Sequence, residues 1–282
     1  MKHREYWIVL LICVVLLLAF LILQQFAEKQ KPERQGLNIT FLETGKSDCV
    51  LIQSDDFVIV QDTADADDFT KIRQTLQENG IEQIDYLLLS HYDKDHIGSA
   101  ANIIRQFHVK QVFGPDYSEN SEYYQNLEDA VHATETPFEK LTADRNIAVE
   151  GGSVKLSVSK QTAYKNENNY SMITSFYYGD ESFLFMGDAL GKRTEEFSQI
   201  ADPAYDLIKL PHHGDCYDAL LDFVEHTTFS YGVICAADNS TIEPELVQKL
   251  KEKGVKILYT YNGDVTLSVP TKESENGELQ LT

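Results

Sequence analysis

Leu87-Leu88-Leu89-Ser90-His91-Tyr92-Asp93-Lys94-Asp95-His96 couples an apolar run to two histidines and two aspartates within six residues. Ile84–Leu89 has the length and composition of a buried strand. Such a strand is held along its length and free at its tip, so it fixes the first polar group. The turn into the next helix then presents the groups at i+2, i+4 and i+5 from different angles. His91, Asp93, Asp95 and His96 are therefore candidate metal ligands, enough to reach two adjacent cations. A solvated acidic turn with Asp95 as helix cap is the competing reading. Isolated histidines such as His3, His108, His132 and His226 fit an ordinary surface or core role, but four donors directly after a buried strand do not.

Two further apolar runs end in the same way. Phe183-Leu184-Phe185-Met186-Gly187 leads to Asp188, and Leu207-Ile208-Lys209-Leu210-Pro211 leads to His212-His213-Gly214. Working outward, short strands are predicted at Leu37–Leu42, Cys49–Gln53 and Phe57–Gln61, then a helix over Asp67–Glu78 stopped by Asn79-Gly80. After the Ile84–Leu89 strand the spacing predicts a helix over His96–Phe107 and a strand over Val109–Phe113. Tyr117–Gly152 is acidic and poorly patterned, and reads as a surface insertion around a helix at Glu122–Val131. Val154–Ser159 follows, then a hairpin of Met172–Tyr178 with Ser182–Met186 across Gly179-Asp180, and strands at Leu207–Leu210 and Tyr231–Ala236. A helix over Pro244–Lys253, a strand over Lys256–Thr260 and a last hairpin across Asn262-Gly263 close the chain. Meanders with helices between and after them argue for an α+β arrangement and against a doubly wound sheet.

The 282 residues suffice for one large domain, and 43% hydrophobic content supplies a core. The amino-terminal end differs from the rest. Residues 1–6 are a short basic tail, and Trp7 opens seventeen consecutive apolar residues, with no charge between Glu5 and Glu28. Residues 7–27 are expected to be a single transmembrane anchor. The run exceeds the apolar core of a usual signal peptide, and Gln25-Phe26-Ala27 is a poor cleavage site. Residues 28–36 form a polar linker and 37–282 the remaining domain. A basic tail before a first span favours a cell-membrane protein whose domain lies outside the cytoplasm. The formal net charge of −21, from 24 Lys+Arg and 45 Asp+Glu, disfavours non-specific nucleic-acid binding. Cys13, Cys49, Cys216 and Cys235 show no C-x-x-C spacing, and Cys49 and Cys235 lie in apolar runs that suit buried thiols.

His91-x-Asp93-x-Asp95-His96 resembles the H-x-[HD]-x-D-H motif of the metallo-β-lactamase superfamily, and its Asp93 is similar to that of the ComEC-like, competence-protein branch. Phe41-Leu42-Glu43-Thr44-Gly45-Lys46-Ser47-Asp48-Cys49 resembles the branch's F-L-D-V-G-x-G-D-A opening, and Asp62-Thr63-Ala64 its D-T-G turn. Asn168-Asn169-Tyr170-Ser171, Met186-Gly187-Asp188 and His212-His213-Gly214 resemble its N-N-x-S, T-G-D and H-H-G-S. The likeness runs from about Leu37 to Val269. It implies an αββα sandwich with the site on one edge of the two sheets. It also implies His91 with Asp93 on one metal, Asp95, His96 and one of His212 and His213 on the other, and Asp188 bridging. Neighbours in extended chain point oppositely, so one histidine of the pair is expected to bind metal, the other to donate a proton or stabilise charge.

The implied cofactor is one or two divalent ions, Zn²⁺ or Mn²⁺, the carboxylate at Asp93 favouring the harder ion. The implied reaction is hydrolysis by a metal-bound hydroxide, with His212, His213 and Asp95 as the catalytic candidates. A phosphodiester is the first substrate class, either nucleic acid, which the acidic charge disfavours, or an envelope polymer. A lactone or thioester, or a non-catalytic binding module that kept the fold, are the alternatives. Lys46, Lys94, Lys209, Lys192 and Arg193 read as scattered surface charges. Glu43, Ser47 and Asp215 depart from the branch pattern, and its later His-Pro pair has no clear counterpart near Asn239–Pro244.

Overall fold

The computed structural model describes residue 7 and residues 10–18, 36–161, 163–270 and 280–281. The chain divides into two units, Met1–Arg34 and Gln35–Thr282. In the first, Trp7 and residues 10–18 are helical and exposed. Among the described residues no helix is long and apolar enough to cross a membrane. The basic tail 1–6, the rest of the expected anchor 7–27 and nearly all of the linker 28–36 lie outside the described residues.

The second unit is two sheets, face to face, with helices on both outer faces. The first half of the chain supplies β1 (Leu37–Phe41), β2 (Val50–Gln53), β3 (Val58–Gln61), β4 (Gln83–Leu88), β5 (His108–Pro115) and β6 (Phe138–Leu141). The second half supplies β7 (Arg145–Val149), β8 (Gly152–Ser157), β9 (Ile173–Tyr178), β10 (Glu181–Phe185), β11 (Ala204–Lys209), β12 (Thr228–Ile234) and β13 (Lys256–Tyr259). β14 (Val265–Val269) and β15 (Gln280–Leu281) return to the first sheet, whose order is β15-β14-β1-β2-β3-β4-β5-β6, against β13-β12-β11-β10-β9-β8-β7 in the second. Each sheet starts as an antiparallel meander and finishes with parallel strands, β3 to β6 in one and β10 to β13 in the other. The two halves thus repeat a topology that leaves no trace as a sequence repeat.

Alternation of side chains builds the layers. Ile39, Phe41, Leu88, Phe183 and Phe185 point between the sheets and form the central core with Phe57 and Phe176. Leu87, Val60 and Val109 point outward under α1 (Phe69–Glu78), α2 (Lys94–Ile97), α3 (Ala100–Gln106) and α4 (Glu122–Thr134). Leu184 and Ile208 do the same under α5 (Gly191–Ser198), α6 (Asp218–His226) and α7 (Pro244–Glu252). This is the expected α+β, αββα layering.

Three expectations are corrected. The helix over His96–Phe107 is broken into α2 and α3, because the N–H and hydroxyl of Thr63 both donate to the His96 carbonyl, at 2.7 and 3.0 Å. Gly98 sits in the break, so close to the Asp65–Ala66 backbone that a Cβ would lie 2.4 Å from Ala66 N. Tyr117–Gly152 is not an insertion around one helix. It adds β6 to the edge of the first sheet and β7 to the edge of the second, strands that bury only Leu141 and Ile147 and so lack an apolar run. The Asn262-Gly263 hairpin does not form. β13 pairs with β12 and β14 with β1, and Gly263 at φ 121, ψ 176 has a positive φ but not the left-handed turn geometry a two-residue hairpin needs.

Candidate metal centre

The chain puts polar groups at the carboxyl ends of parallel strands from both sheets. β4 runs through Leu89 and Ser90 into His91, β10 through Met186 and Gly187 into Asp188, and β11 through Leu210 and Pro211 into His212 and His213. Asp95, His96, Asp188 and His213 converge, each offering a donor atom within 4.8 Å of the others. Asp188 lies between the two imidazoles, its Oδ1 3.3 Å from His96 Nε2 and its Oδ2 3.2 Å from His213 Nε2. Asp95 Oδ2 is 3.5 Å from His213 Nε2. His91 Nε2 is 3.6 Å from Asp93 Oδ2, and the His91 and His96 rings stand 4.1 Å apart. His91 and Asp93 do not join the four-residue group.

Four buried atoms here lack a hydrogen-bond partner: Nε2 of His91, His96 and His213, and Oδ1 of Asp188. Leaving such atoms unsatisfied is costly, and a cation would satisfy those of His96, His213 and Asp188 together, with His91 Nε2 left beside them. The donor set therefore fits a divalent metal, with Asp95, His96, Asp188 and His213 as one cluster and His91 with Asp93 as a two-residue arm beside it.

Of the two adjacent histidines, His213 is the buried one that reaches the cluster. His212 turns away, its Nδ1 2.9 Å from Asp215 Oδ2. The extended chain that was to point the two oppositely is absent: they occupy a 3-10 turn, at φ 49 and φ 56, a left-handed conformation that side chains adopt at a cost. Gly187 at φ 54 needs its missing side chain, since a Cβ there would meet Ser90 Cβ at 2.7 Å.

The imidazoles are oriented through their far nitrogens, as metal-ligating histidines require. Asp62 Oδ2 lies 3.1 Å from His96 Nδ1, while Asp62 Oδ1 accepts the Ser90 N–H at 2.7 Å. The Cys235 carbonyl holds His213 Nδ1 at 3.0 Å, and Ser90 Oγ holds His91 Nδ1 at 3.0 Å. The Ser171 hydroxyl accepts the Asp188 N–H at 3.2 Å.

Electrostatics follow the same contacts. Burial works to lower the basicity of His96, but Asp188 and Asp62 outweigh it and hold the imidazole well above its ordinary range. His213 is pushed up to about 9, burial again opposing and Asp188 and Asp95 prevailing. Asp188 is held well below the usual carboxylate range, its burial overcome by His96 and His213, and Asp95 is lowered for the same kind of reason. Without metal the cluster is an imidazolium–carboxylate network.

Residues read only as parts of motifs or as surface charge supply the support. Lys209 is fully buried, paired with Asp48, donating to the Gly187 carbonyl at 3.1 Å and lying 3.9 Å from Asp188 Oδ1. Arg193 is fully buried and donates to the Ser171 carbonyl at 2.8 Å. Both were expected at the surface. A lysine inside the apolar run Leu207–Leu210 was the signal of the first. Lys94 and Lys192 are exposed and pair with Asp65 and Glu195. Cys49 and Cys235 are buried free thiols.

The sequence model of the metallo-beta-lactamase superfamily matches residues 42–237. ComE operon protein 3 of Bacillus subtilis (strain 168) is 22% identical over 195 residues, 67% of this chain and 25% of that protein. Recombination protein 2 of Haemophilus influenzae is 25% identical over 205 residues, 71% of this chain and 24% of that protein. The chain thus spans about a quarter of the length of these two relatives. Among solved structures, the metallo-beta-lactamase fold protein YhfI of Bacillus subtilis superposes with a TM-score of 0.53 at 12% identity, over 87% of this chain and 100% of that one.

Proposed function

This chain belongs to the metallo-beta-lactamase superfamily, with relatives that support its ComEC-like branch, and from that premise we propose a membrane-anchored, metal-dependent hydrolase of phosphodiester bonds. The observation that carries the reading is the convergence of buried, unpartnered imidazole and carboxylate atoms at the strand ends. Asp95, His96, Asp188 and His213 would hold one divalent ion, Zn²⁺ or Mn²⁺, and His91 with Asp93 would contribute to a second. When bound, such ions supply Lewis acidity and activate water near neutral pH.

The residues around them divide the remaining work. Asp95 is the member of the cluster that reaches solvent, its side chain 24% exposed against 4% or less for the other three. Substrate therefore approaches from the Asp95 side. His212 is half-buried beside His213, and Asp215 orients it through Nδ1. That leaves Nε2 to carry a proton to a leaving oxygen. A phosphodiester suits a site that presents imidazoles and cations to an anion, and the likeness to a recombination protein supports nucleic acid within that class. The charge of −21 favours a short or small phosphodiester over a long duplex. Residues 7–27 would anchor the enzyme in the cell membrane, with the domain outside the cytoplasm.

The test is metal content of the purified full chain by mass spectrometry, with turnover of bis-p-nitrophenyl phosphate under added Mn²⁺ or Zn²⁺. Metal-dependent turnover that Asp188→Ala abolishes supports the reading. Absence of both metal and turnover overturns it.

A further inference from the structure

A buried arginine stands where neither its helix nor the core calls for one. Arg193 is fully buried in the first turn of α5, where the partial positive charge of the helix amino terminus opposes a cation. Among the described residues its one ion pair is with Glu196, Nη1 to Oε2 at 3.8 Å, and Nη1 has no hydrogen-bond partner. Glu196 is itself engaged elsewhere, its two oxygens accepting the Tyr164 hydroxyl at 2.7 and 2.8 Å. Burying a charge so loosely paired is costly, and an apolar side chain would fill the space without that cost.

What Arg193 holds is one short segment. Its Nε donates to the Ser171 carbonyl at 2.8 Å and its Nη2 to the Ser157 carbonyl at 2.5 Å, while its backbone N–H donates to Asn169 Oδ1 at 3.0 Å. Residues 169–172 are thereby tied to the end of β8 and the start of α5. A guanidinium suits this task, because its planar fork fixes two carbonyls at once where a single ammonium cannot.

That segment bridges the ligand-bearing tips of the two sheets. On one side the Ser171 hydroxyl accepts the Asp188 N–H at 3.2 Å. On the other the Met172 N–H donates to the Ser90 carbonyl at 2.7 Å, and Ser90 Oγ lies 3.0 Å from His91 Nδ1 and 3.3 Å from His96 Nδ1. Tyr170 extends the grip to the arm. Its ring stacks on Tyr117 with centroids 4.4 Å apart and planes 14° apart, and Tyr117 stands 4.7 Å from Tyr92. Tyr117 Oη also accepts the N–H of Tyr92, the residue between His91 and Asp93 in the chain, at 2.7 Å.

We propose that Arg193 is a positioning residue of the metal centre. Through residues 169–172 it fixes the register of the Asp95–His96–Asp188–His213 cluster against the His91–Asp93 arm, and so lets two divalent ions sit as a coupled pair. Without the fork the segment can shift, and the two sheet tips lose the spacer that sets their separation. The proposal rests on the two-ion part of the hydrolase reading and concerns the spacing of the sites, so the two are read by different measurements.

The experiment uses the full chain stripped of metal and reloaded with Mn²⁺. Electron paramagnetic resonance reads whether the ions are exchange-coupled, and competition with a chromophoric chelator reads their affinity. Wild type should show the coupled pair. Arg193→Met, and Arg193→Lys, which keeps the charge but not the fork, should lose most of that signal and bind the second Mn²⁺ about tenfold or more weakly. Should Arg193→Met not fold, Arg193→Lys and Tyr170→Leu, a change at a half-buried side chain, carry the test, the latter weakening the second ion alone. Leu76→Ala, a buried change in α1, which makes none of these contacts, should lower the melting temperature and leave the coupling intact. Uncoupled ions in wild type, an unchanged signal in the Arg193 variants, or an equal loss in Leu76→Ala would overturn the proposal. Turnover of bis-p-nitrophenyl phosphate by a wild type with uncoupled ions sinks this proposal alone, and coupling that depends on Arg193 without turnover sinks the hydrolase reading alone.

Discussion

Replacing Lys209 by methionine tests the support beneath the centre. The side chain is 2% exposed, and its ammonium stands between Asp48 and Asp188, whose side chains are 3% and 4% exposed. Methionine keeps most of the volume and removes the charge, so two buried carboxylates lose their fixed cation. Breaking a buried pair from one side costs about 3–5 kcal/mol. At about 2–4 °C per kcal/mol for a domain of this size, the metal-stripped protein should melt roughly 6–20 °C lower. Adding Asp48→Asn removes the stranded charge, so the double variant should recover part of the loss. Metal should also shrink the deficit, since a bound cation takes up the charge of Asp188. Thermal unfolding followed by circular dichroism, with chelator and with Mn²⁺, reads all three. A metal-stripped Lys209→Met protein that melts within about 2 °C of wild type, or a double variant that falls by the sum of the singles, refutes the reasoning.

Asp62→Asn keeps the shape but disturbs the tautomer and orientation of His96 through Nδ1, and should weaken metal binding by about 10–100-fold without unfolding the domain, measured by competition with a chromophoric chelator. Gly187→Ala forces a Cβ into Ser90 at a left-handed φ, so it should both lower the melting temperature and reduce bound metal, read by calorimetry and mass spectrometry on one sample. In the metal-stripped protein His213 is raised from 6.5 to about 9. Its contribution, about 3 kcal/mol, is fully present below pH 6.5 and is lost as pH rises through about 9. Stripped wild type should therefore melt lower at pH 9.5 than at pH 6.5, while His213→Gln should lose only part of that dependence, because His96 is also held well above its ordinary range. The metal-loaded protein should show the opposite trend in affinity, because binding displaces the same protons.

The candidate ligands were legible because they are local. His91, Asp93, Asp95 and His96 share one strand–turn segment, and Asp188 and His213 each end an apolar run, so strand periodicity alone places them at sheet tips. What the sequence concealed depends on contacts far apart in the chain. Asp48 and Lys209 are 161 residues apart, and only the meeting of two sheets shows that a lysine and an aspartate neutralise each other inside the core. His213 over His212 was undecidable for a different reason: two left-handed residues in a row defy the alternation on which the choice rested, and neither is a glycine that would announce it. The edge strands β6 and β7 bury one apolar residue each and look like loop, although they let the chain cross between sheets. The same crossing brings Tyr170 onto Tyr117 and, through it, to Tyr92 beside Asp93. An acidic, tyrosine-bearing stretch that composition assigns to solvent is thereby built into the wall of the centre. Where a fold repeats its topology in two halves, chemistry gathers at the seam, and the residues that complete it are the ones whose own neighbourhoods say least.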